Sequence, residues 1–167
     1  MSGGECTLQW KFLTALFKEV KEKYPKFTCF VDSNCSIPLW TEDKKEFVNV
    51  LDKIMIDIKG FTAKEHEIIT AARNSVVMEN FKYLAGMNKI YEVRTVIVPE
   101  ITDNEKMVDN ISRMIAEKDK SIKYKIIKYR QNGVREDLLK SYTPNEAYMR
   151  KLKKIAEGNG LKDVVII

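Results

Sequence analysis

Lys53-Ile-Met-Ile-Asp-Ile-Lys-Gly60 is the stretch that decides the fold. Its β-branched run reads as a strand from Lys53 to Ile58 that stops at Gly60, and Thr62 stands ready to cap a short helix after it. The same strand-then-helix unit recurs on both sides. Upstream, Leu8, Phe12, Leu13, Leu16, Phe17 and Val20 repeat at helical spacing as far as Lys23, and Pro25 ends that helix. Thr28-Cys-Phe-Val-Asp-Ser-Asn34 then reads as a strand running into a loop, and Thr41 caps a helix reaching to about Leu51. Downstream, Ser75 to Met87 is helical and Glu92 to Val98 is a β-branched strand closed by Pro99. Asp103 caps a helix to about Lys118, and Ile122 to Tyr129 is the next strand. Thr143 and Pro144 start a helix as its cap and first residue, which runs to Gly158 or Gly160, and Val164-Val-Ile-Ile167 is a last short strand.

Alternation of this kind predicts an α/β fold, a parallel sheet with right-handed crossovers and outer helices. Residues 1–167 are expected to form one domain, with no linker, repeat or low-complexity tract. At 44% hydrophobic and 32% charged, the chain has the apolar content for a core, and seven Gly with four Pro exclude collagen-like and disordered chains. No apolar run approaches the roughly 20 residues of a membrane helix, and no signal peptide opens the chain, so a cytoplasmic location is expected. Three cysteines in such a chain read as reduced thiols, and Cys6 and Cys29 as small buried residues. The single histidine, His66, reads as a surface residue between Glu65 and Glu67.

Net charge is +5, from 29 basic and 24 acidic residues, but Lys120 to Lys154 alone carries eleven Lys or Arg against three Asp or Glu. That basic third is either a solvated face or a grip on an anionic partner, with a protein ranked above nucleic acid because few aromatics interleave and no nucleic-acid fold is present. Charge also gathers at the strand tips. Asp32 with Asn34, Asp57 with Lys59, Glu92 with Arg94, and Lys128 with Arg130 each share one strand face. Parallel strands bring their carboxyl ends to one edge, where α/β folds hold ligands, so the four pairs predict one polar hollow. Ser2-Gly-Gly-Glu5, directly before a helix, offers backbone N–H groups and a carboxylate to a ligand. Three functions fit these residues. One is a Schiff-base lyase or aldolase in which Lys59 is crowded by Arg94 and Lys128, and another is a non-catalytic basic protein-binding module. The third comes from the order of the motifs.

Ser2-Gly-Gly-Glu-Cys-Thr-Leu-Gln9, Asp32-Ser-Asn34, Asp57-Ile-Lys59, Val93-Arg-Thr-Val-Ile-Val-Pro99 with Thr102-Asp103, and Tyr129-Arg-Gln-Asn-Gly133 follow one another along the whole chain. This series resembles the radical S-adenosylmethionine activating enzymes of glycyl radical proteins, including those of the pyruvate formate-lyase type. The resemblance implies a partial, open α/β barrel of the radical S-adenosylmethionine kind. It also implies a reaction in which a [4Fe–4S] cluster reductively cleaves S-adenosylmethionine, so that a hydrogen atom is taken from a backbone glycine of the partner enzyme. By position, Gly3, Gly4 and Glu5 would hold the methionyl end of S-adenosylmethionine. Asp32 and Asn34 would line the cavity, with Asp32, Ser33, Met55 and Asp57 near a monovalent cation. Asp57 and Lys59 would meet the cosubstrate or the glycine loop, and Arg94 and Arg130 would complete the set. Arg130 stands where the family pattern has a histidine, and Cys35 where a glycine is usual. The family's cluster is held by a CxxxCxxC loop, which the spacing of Cys6, Cys29 and Cys35 does not match. The chain is therefore expected to be the C-terminal portion of an activase, to bind no cluster and to be inactive alone. Its strand from Phe27 to Asp32 is expected to be an unpaired edge open to self-association.

Overall fold

The computed structural model describes residues 1–131 and 141–167. The elements, in order, are α1 (Trp10–Lys23), β1 (Phe30–Ser33), α2 (Lys45–Val50), β2 (Lys53–Asp57), α3 (Ala63–Thr70), α4 (Ser75–Gly86), β3 (Ile90–Ile97), α5 (Asn104–Lys118), β4 (Lys123–Lys128), α6 (Glu146–Gly158) and β5 (Val164–Ile166). The strands form one sheet in the order β1-β2-β3-β4-β5, the arrangement expected of consecutive right-handed crossovers. By compactness the chain divides into two units, residues 1–57 with 74–92 and residues 58–73 with 93–167.

In the first unit β1 and β2 are parallel, with Phe30 level with Lys53 and Asp32 with Met55. Val31, Ile54 and Ile56 are fully buried, while Phe30, Asp32, Lys53, Met55 and Asp57 on the opposite face are half-buried. One face thus packs in the core and the other stays open. Phe17 of α1 stacks on Phe47 of α2 with ring centroids 6.5 Å apart. Where β1 starts, the Cys29 N–H donates to Asp52 at 2.6 Å, and Lys21 closes on the other carboxylate oxygen, also at 2.6 Å. Fully buried Asn80 on α4 holds the loop after β1. It accepts from the Leu39 N–H at 2.8 Å and donates to the Cys35 and Ile37 carbonyls at 2.9 and 2.7 Å.

The edge of β1 differs from the expectation. The strand proper begins at Phe30, and Met1 runs beside it, donating to the Phe30 carbonyl at 2.6 Å and accepting from the Asp32 N–H at 2.9 Å. One rung of the edge is therefore paired within the chain.

In the second unit β4 and β5 are parallel, with Tyr124 level with Val164. Val93, Thr95, Ile97, Tyr124, Ile126 and Val164 fill the buried face. Each helix start has a local cause. Thr62 and Glu65 form a reciprocal capping box for α3, and Asp103 accepts from the Lys106 N–H at 3.2 Å to start α5. Asn145, not Thr143, caps α6 by accepting from the Tyr148 N–H at 2.9 Å, so Pro144 lies just outside the helix it was expected to open.

β3 contains a slip that its sequence does not announce. Ile54 donates to the Lys89 carbonyl and Ile58 donates to the Arg94 carbonyl, both at 2.8 Å. Ile54 is thus level with Ile90, and Ile58 with Thr95, so β3 holds one residue more than β2 over the same length. Consecutive burial of Glu92 and Val93 marks the extra residue as a bulge.

Candidate functional site

The first unit contains three segments of the expected site, Gly3–Glu5, Asp32–Asn34 and Met55–Asp57. Gly3 and Gly4 have φ of 115° and 55°, the left-handed region that glycine occupies without penalty, and they turn the chain so that Glu5 faces the exit of β1. The Glu5 carboxylate accepts from Ser33 Oγ at 2.7 Å, from the Asn34 N–H at 2.8 Å, from the Thr7 N–H at 3.0 Å, and from the Thr7 hydroxyl. Glu5 thus ties the opening of the chain to the Asp32-Ser-Asn34 turn. Asp32, Met55 and Asp57 share the open face, with Asp32 level with Met55. Ser33 alternates to the other face and is 2% exposed, bonded to Glu5 and to the Cys35 N–H. Asn34 is exposed, and its side chain accepts from the Ser36 N–H at 2.9 Å.

In the second unit Lys59 and Arg94 are half-buried and Arg130 is exposed. Two expectations are corrected here. Consecutive burial of Glu92 and Val93 breaks the alternation that a shared face requires, and Glu92 is only 2% exposed while Arg94 is half-buried. The Tyr129 N–H donates to the Ile97 carbonyl at 3.1 Å, which sets Lys128 level with Ile97. Lys128 is therefore on the core-facing parity of β4, where it reaches Glu146 at the start of α6, and Arg130 lies beyond the end of the strand. The residues of β4 that share the open face with Arg94 are Lys123, Lys125 and Ile127. Sequence reading missed them because Lys-Tyr-Lys-Ile-Ile-Lys has charges on both parities. The complete burial of Tyr124 and Ile126 settles the phase. Asn132 and Gly133, the end of the last motif, lie outside the described residues.

His66 is not a surface residue. It is 5% exposed on α3, directly behind Gly60, and burial first and the Lys59 charge second hold its imidazole below the usual range. A separate cleft of about 400 Å³, lined by Glu100, Asp103, Glu105, Tyr142 and Tyr148, opens where β3 leads into α5 and where α6 begins. Pro99, Thr102 and Asp103 of the fourth motif line it, but none of the residues given a ligand-binding role by the motifs does.

The three cysteines are free and buried. Cys6 Sγ donates to the Asp32 carbonyl at 3.2 Å, and burial is the leading cause that pushes all three thiols up. Among the described residues no three His, Cys, Asp or Glu side chains are placed to hold a metal ion. A thiolate-held iron–sulfur cluster does not fit these three buried, protonated cysteines. Among the described residues, too, no helix is long and apolar enough to cross a membrane.

The fold matches that of a solved activating-enzyme domain. A solved domain of pyruvate-formate lyase-activating enzyme from Bacteroides vulgatus ATCC 8482 superposes with a TM-score of 0.78 at 18% identity, covering 100% of this chain and 96% of that one. Sequence similarity goes further than fold. The chain is 29% identical over 138 residues to pyruvate formate-lyase-activating enzyme of Streptococcus mutans serotype c, covering 80% of the chain and 51% of that protein. The isethionate sulfite-lyase activating enzyme of Desulfovibrio desulfuricans is also 29% identical over 138 residues, covering 81% of the chain and 43% of that protein. The chain thus spans about half the length of the curated relatives it matches. No family model matches it. The resemblance carried by the five motifs is borne out, because proteins similar to this chain over about four fifths of its length are named pyruvate formate-lyase-activating enzyme and isethionate sulfite-lyase activating enzyme.

Proposed function

We propose that the chain is part of a radical S-adenosylmethionine activating enzyme that generates a glycyl radical on a partner enzyme of the pyruvate formate-lyase type. The observation that carries this reading is the similarity to activating enzymes of two different lyases, each over about four fifths of the chain. Residue roles follow the motifs. Asp32 and Asp57 offer carboxylates to the cationic part of S-adenosylmethionine, and Lys59 and Arg94 offer cations to its carboxylate, since a zwitterionic ligand leaving water needs partners of both signs. By the motifs, Gly3 and Gly4 would bring backbone N–H groups to the methionyl end, and Asn34 and Arg130 would be further ligand contacts. Bound S-adenosylmethionine would supply the reactive sulfonium, and this chain's residues would orient it and exclude water. The partner would present a glycine-bearing loop. Neither the fold nor the relatives support a Schiff-base lyase built on Lys59 or a basic binding module.

Calorimetry with S-adenosylmethionine tests the reading. Wild-type protein should bind, and Asp57→Ala and Arg94→Ala should each weaken binding by about tenfold or more, the effect of losing one charge-assisted contact. Absence of binding to wild type, or equal binding by both variants, overturns it.

A further inference from the structure

The second unit carries a concave surface to which the motifs give no ligand. It is the cleft of about 400 Å³ where β3 runs into α5 and where α6 begins, a volume within the range of about 300–1,000 Å³ typical of small-molecule sites. Its walls are tied down. Asn104 is only 3% exposed and closes the turn between β3 and α5 on itself. It accepts from the Val98 N–H at 3.2 Å and the Thr102 hydroxyl at 3.1 Å, and donates to the Val98 and Thr102 carbonyls at 3.1 and 3.2 Å. Ser141 donates to the Pro99 carbonyl at 2.8 Å, which pins the segment bearing Tyr142 to the exit of β3. Lys151 of α6 holds Glu105 of α5 at 2.6 Å. A cleft cross-linked in this way keeps its shape before anything enters it, which lowers the cost of binding.

Charge decides what the cleft holds. Glu100, Asp103 and Glu105 line it, and no Lys or Arg does. Opposing them are the N-termini of α5 and α6, each worth about half a positive charge, and the Lys151 ammonium on Glu105. About two positive charges thus face three carboxylates, and the cleft stays negative by about one charge. Glu100 carries the surplus, since it is exposed and its carboxylate forms no ion pair with a described residue. Among the described residues no three acidic, His or Cys side chains converge closely enough to hold a metal ion, so these carboxylates suit a cation whose charge is spread over several atoms. Tyr142, 52% exposed, and half-buried Tyr148 add ring faces on which such a cation stacks. A guanidinium has this chemistry, being flat, weakly hydrated and equipped with paired N–H groups for a carboxylate. We propose that the cleft is a second ligand site of this protein, taking an organic cation of the guanidinium class against its tyrosines and Glu100. It shares no residue with those assigned above to S-adenosylmethionine and does not depend on that assignment.

Two probes of one shape separate charge from fit: butylguanidinium and its neutral isostere butylurea. Each is titrated into the protein and followed by NMR at the backbone amides of Glu100, Asp103 and Glu105. Wild type should bind butylguanidinium with a Kd of about 1 mM and prefer it to butylurea by about fivefold or more. Glu100→Gln should weaken butylguanidinium by about two- to fivefold and leave butylurea unchanged, and Tyr142→Leu should weaken the cation by a similar factor. Both residues are exposed, so neither variant threatens the fold. Equal affinities for the two probes, a butylguanidinium affinity unchanged in Glu100→Gln, or no shift at these amides overturns the proposal. A third probe, acetylarginine methylamide, identifies the source of the cation. Binding at least as tight as butylguanidinium marks an arginine side chain of a polypeptide, weaker binding marks a free small cation, and either sustains the site.

Discussion

Glu5 and Ser33, 28 residues apart, meet at 2.7 Å, and the same carboxylate takes the Asn34 N–H at 2.8 Å. This joins the opening of the chain to the tip of β1, the two segments that the motifs assign to one ligand. Removing the carboxylate orphans a 2% exposed hydroxyl and two N–H groups. Glu5→Ala should therefore cost about 2–3 kcal/mol, and Glu5→Gln about half that, because an amide oxygen still accepts. Urea unfolding measures it, and a loss under about 0.5 kcal/mol would show that the carboxylate does not hold these segments.

Cys35 has φ of 54° and no exposed surface. A side chain in the left-handed region costs about 1–2 kcal/mol relative to glycine, so the usual order of substitutions should reverse here. Cys35→Gly should be more stable than Cys35→Ala by about 1 kcal/mol. Thermal melts of the two variants decide it. Alanine equal to or better than glycine would mean that the backbone at 35 relaxes.

The strand-to-helix units were legible because their causes are local. Thr62 with Glu65 and Asp103 with Lys106 cap their helices within one turn, and Gly60 marks the end of β2 in the sequence itself. The start of α6 was misplaced by two residues because Thr143 and Asn145 compete as caps and only the backbone geometry chooses between them. The site was less legible than the fold. Whether Glu92 accompanies Arg94 depends on a bulge set by pairing to β2, and whether Lys125 or Lys128 faces the open side depends on which parity packs in the core. Neither is written in the residues of the strand concerned. His66 differs for a similar reason, since only Glu67 is exposed, Glu65 folds back onto the Thr62 N–H, and the helix buries the imidazole behind Gly60.

At alkaline pH the buried thiols should govern stability. Burial first, tempered by the hydrogen bond with Ser33, keeps Cys35 protonated far above the ordinary thiol value of 9.0. The unfolded chain releases that proton near pH 9.0 and the folded chain does not. Stability is thus full below pH 9 and falls above it, by about 1.4 kcal/mol per pH unit for each such thiol. Denaturant midpoints at pH 8, 9 and 10 should decline accordingly, and Cys35→Ala should flatten the slope. Iodoacetamide at pH 7.5 should label Cys35 only on unfolding, and rapid native labelling would contradict the burial.

The acid limb should belong to His66. Desolvation, with the Lys59 charge behind it, lowers its pKa from the ordinary 6.5, so the unfolded chain takes up a proton that the folded chain refuses. The resulting stability is present above pH 6.5 and is lost as pH falls through the depressed folded value. The His66 Hε1 resonance should titrate with a midpoint below 6.5, and replacing Lys59 with Met should move that midpoint upward by a smaller amount than burial lowers it. Gly60 maintains the enclosure. A Cβ there would lie 2.3 Å from the His66 backbone nitrogen and 2.8 Å from Glu65 Cβ, so Gly60→Ala must push α3 away. That variant should lose about 2–4 kcal/mol and bring the His66 midpoint back toward 6.5 as water reaches the ring. A Gly60→Ala protein with unchanged stability and an unchanged His66 titration would show that α3 does not close over this histidine.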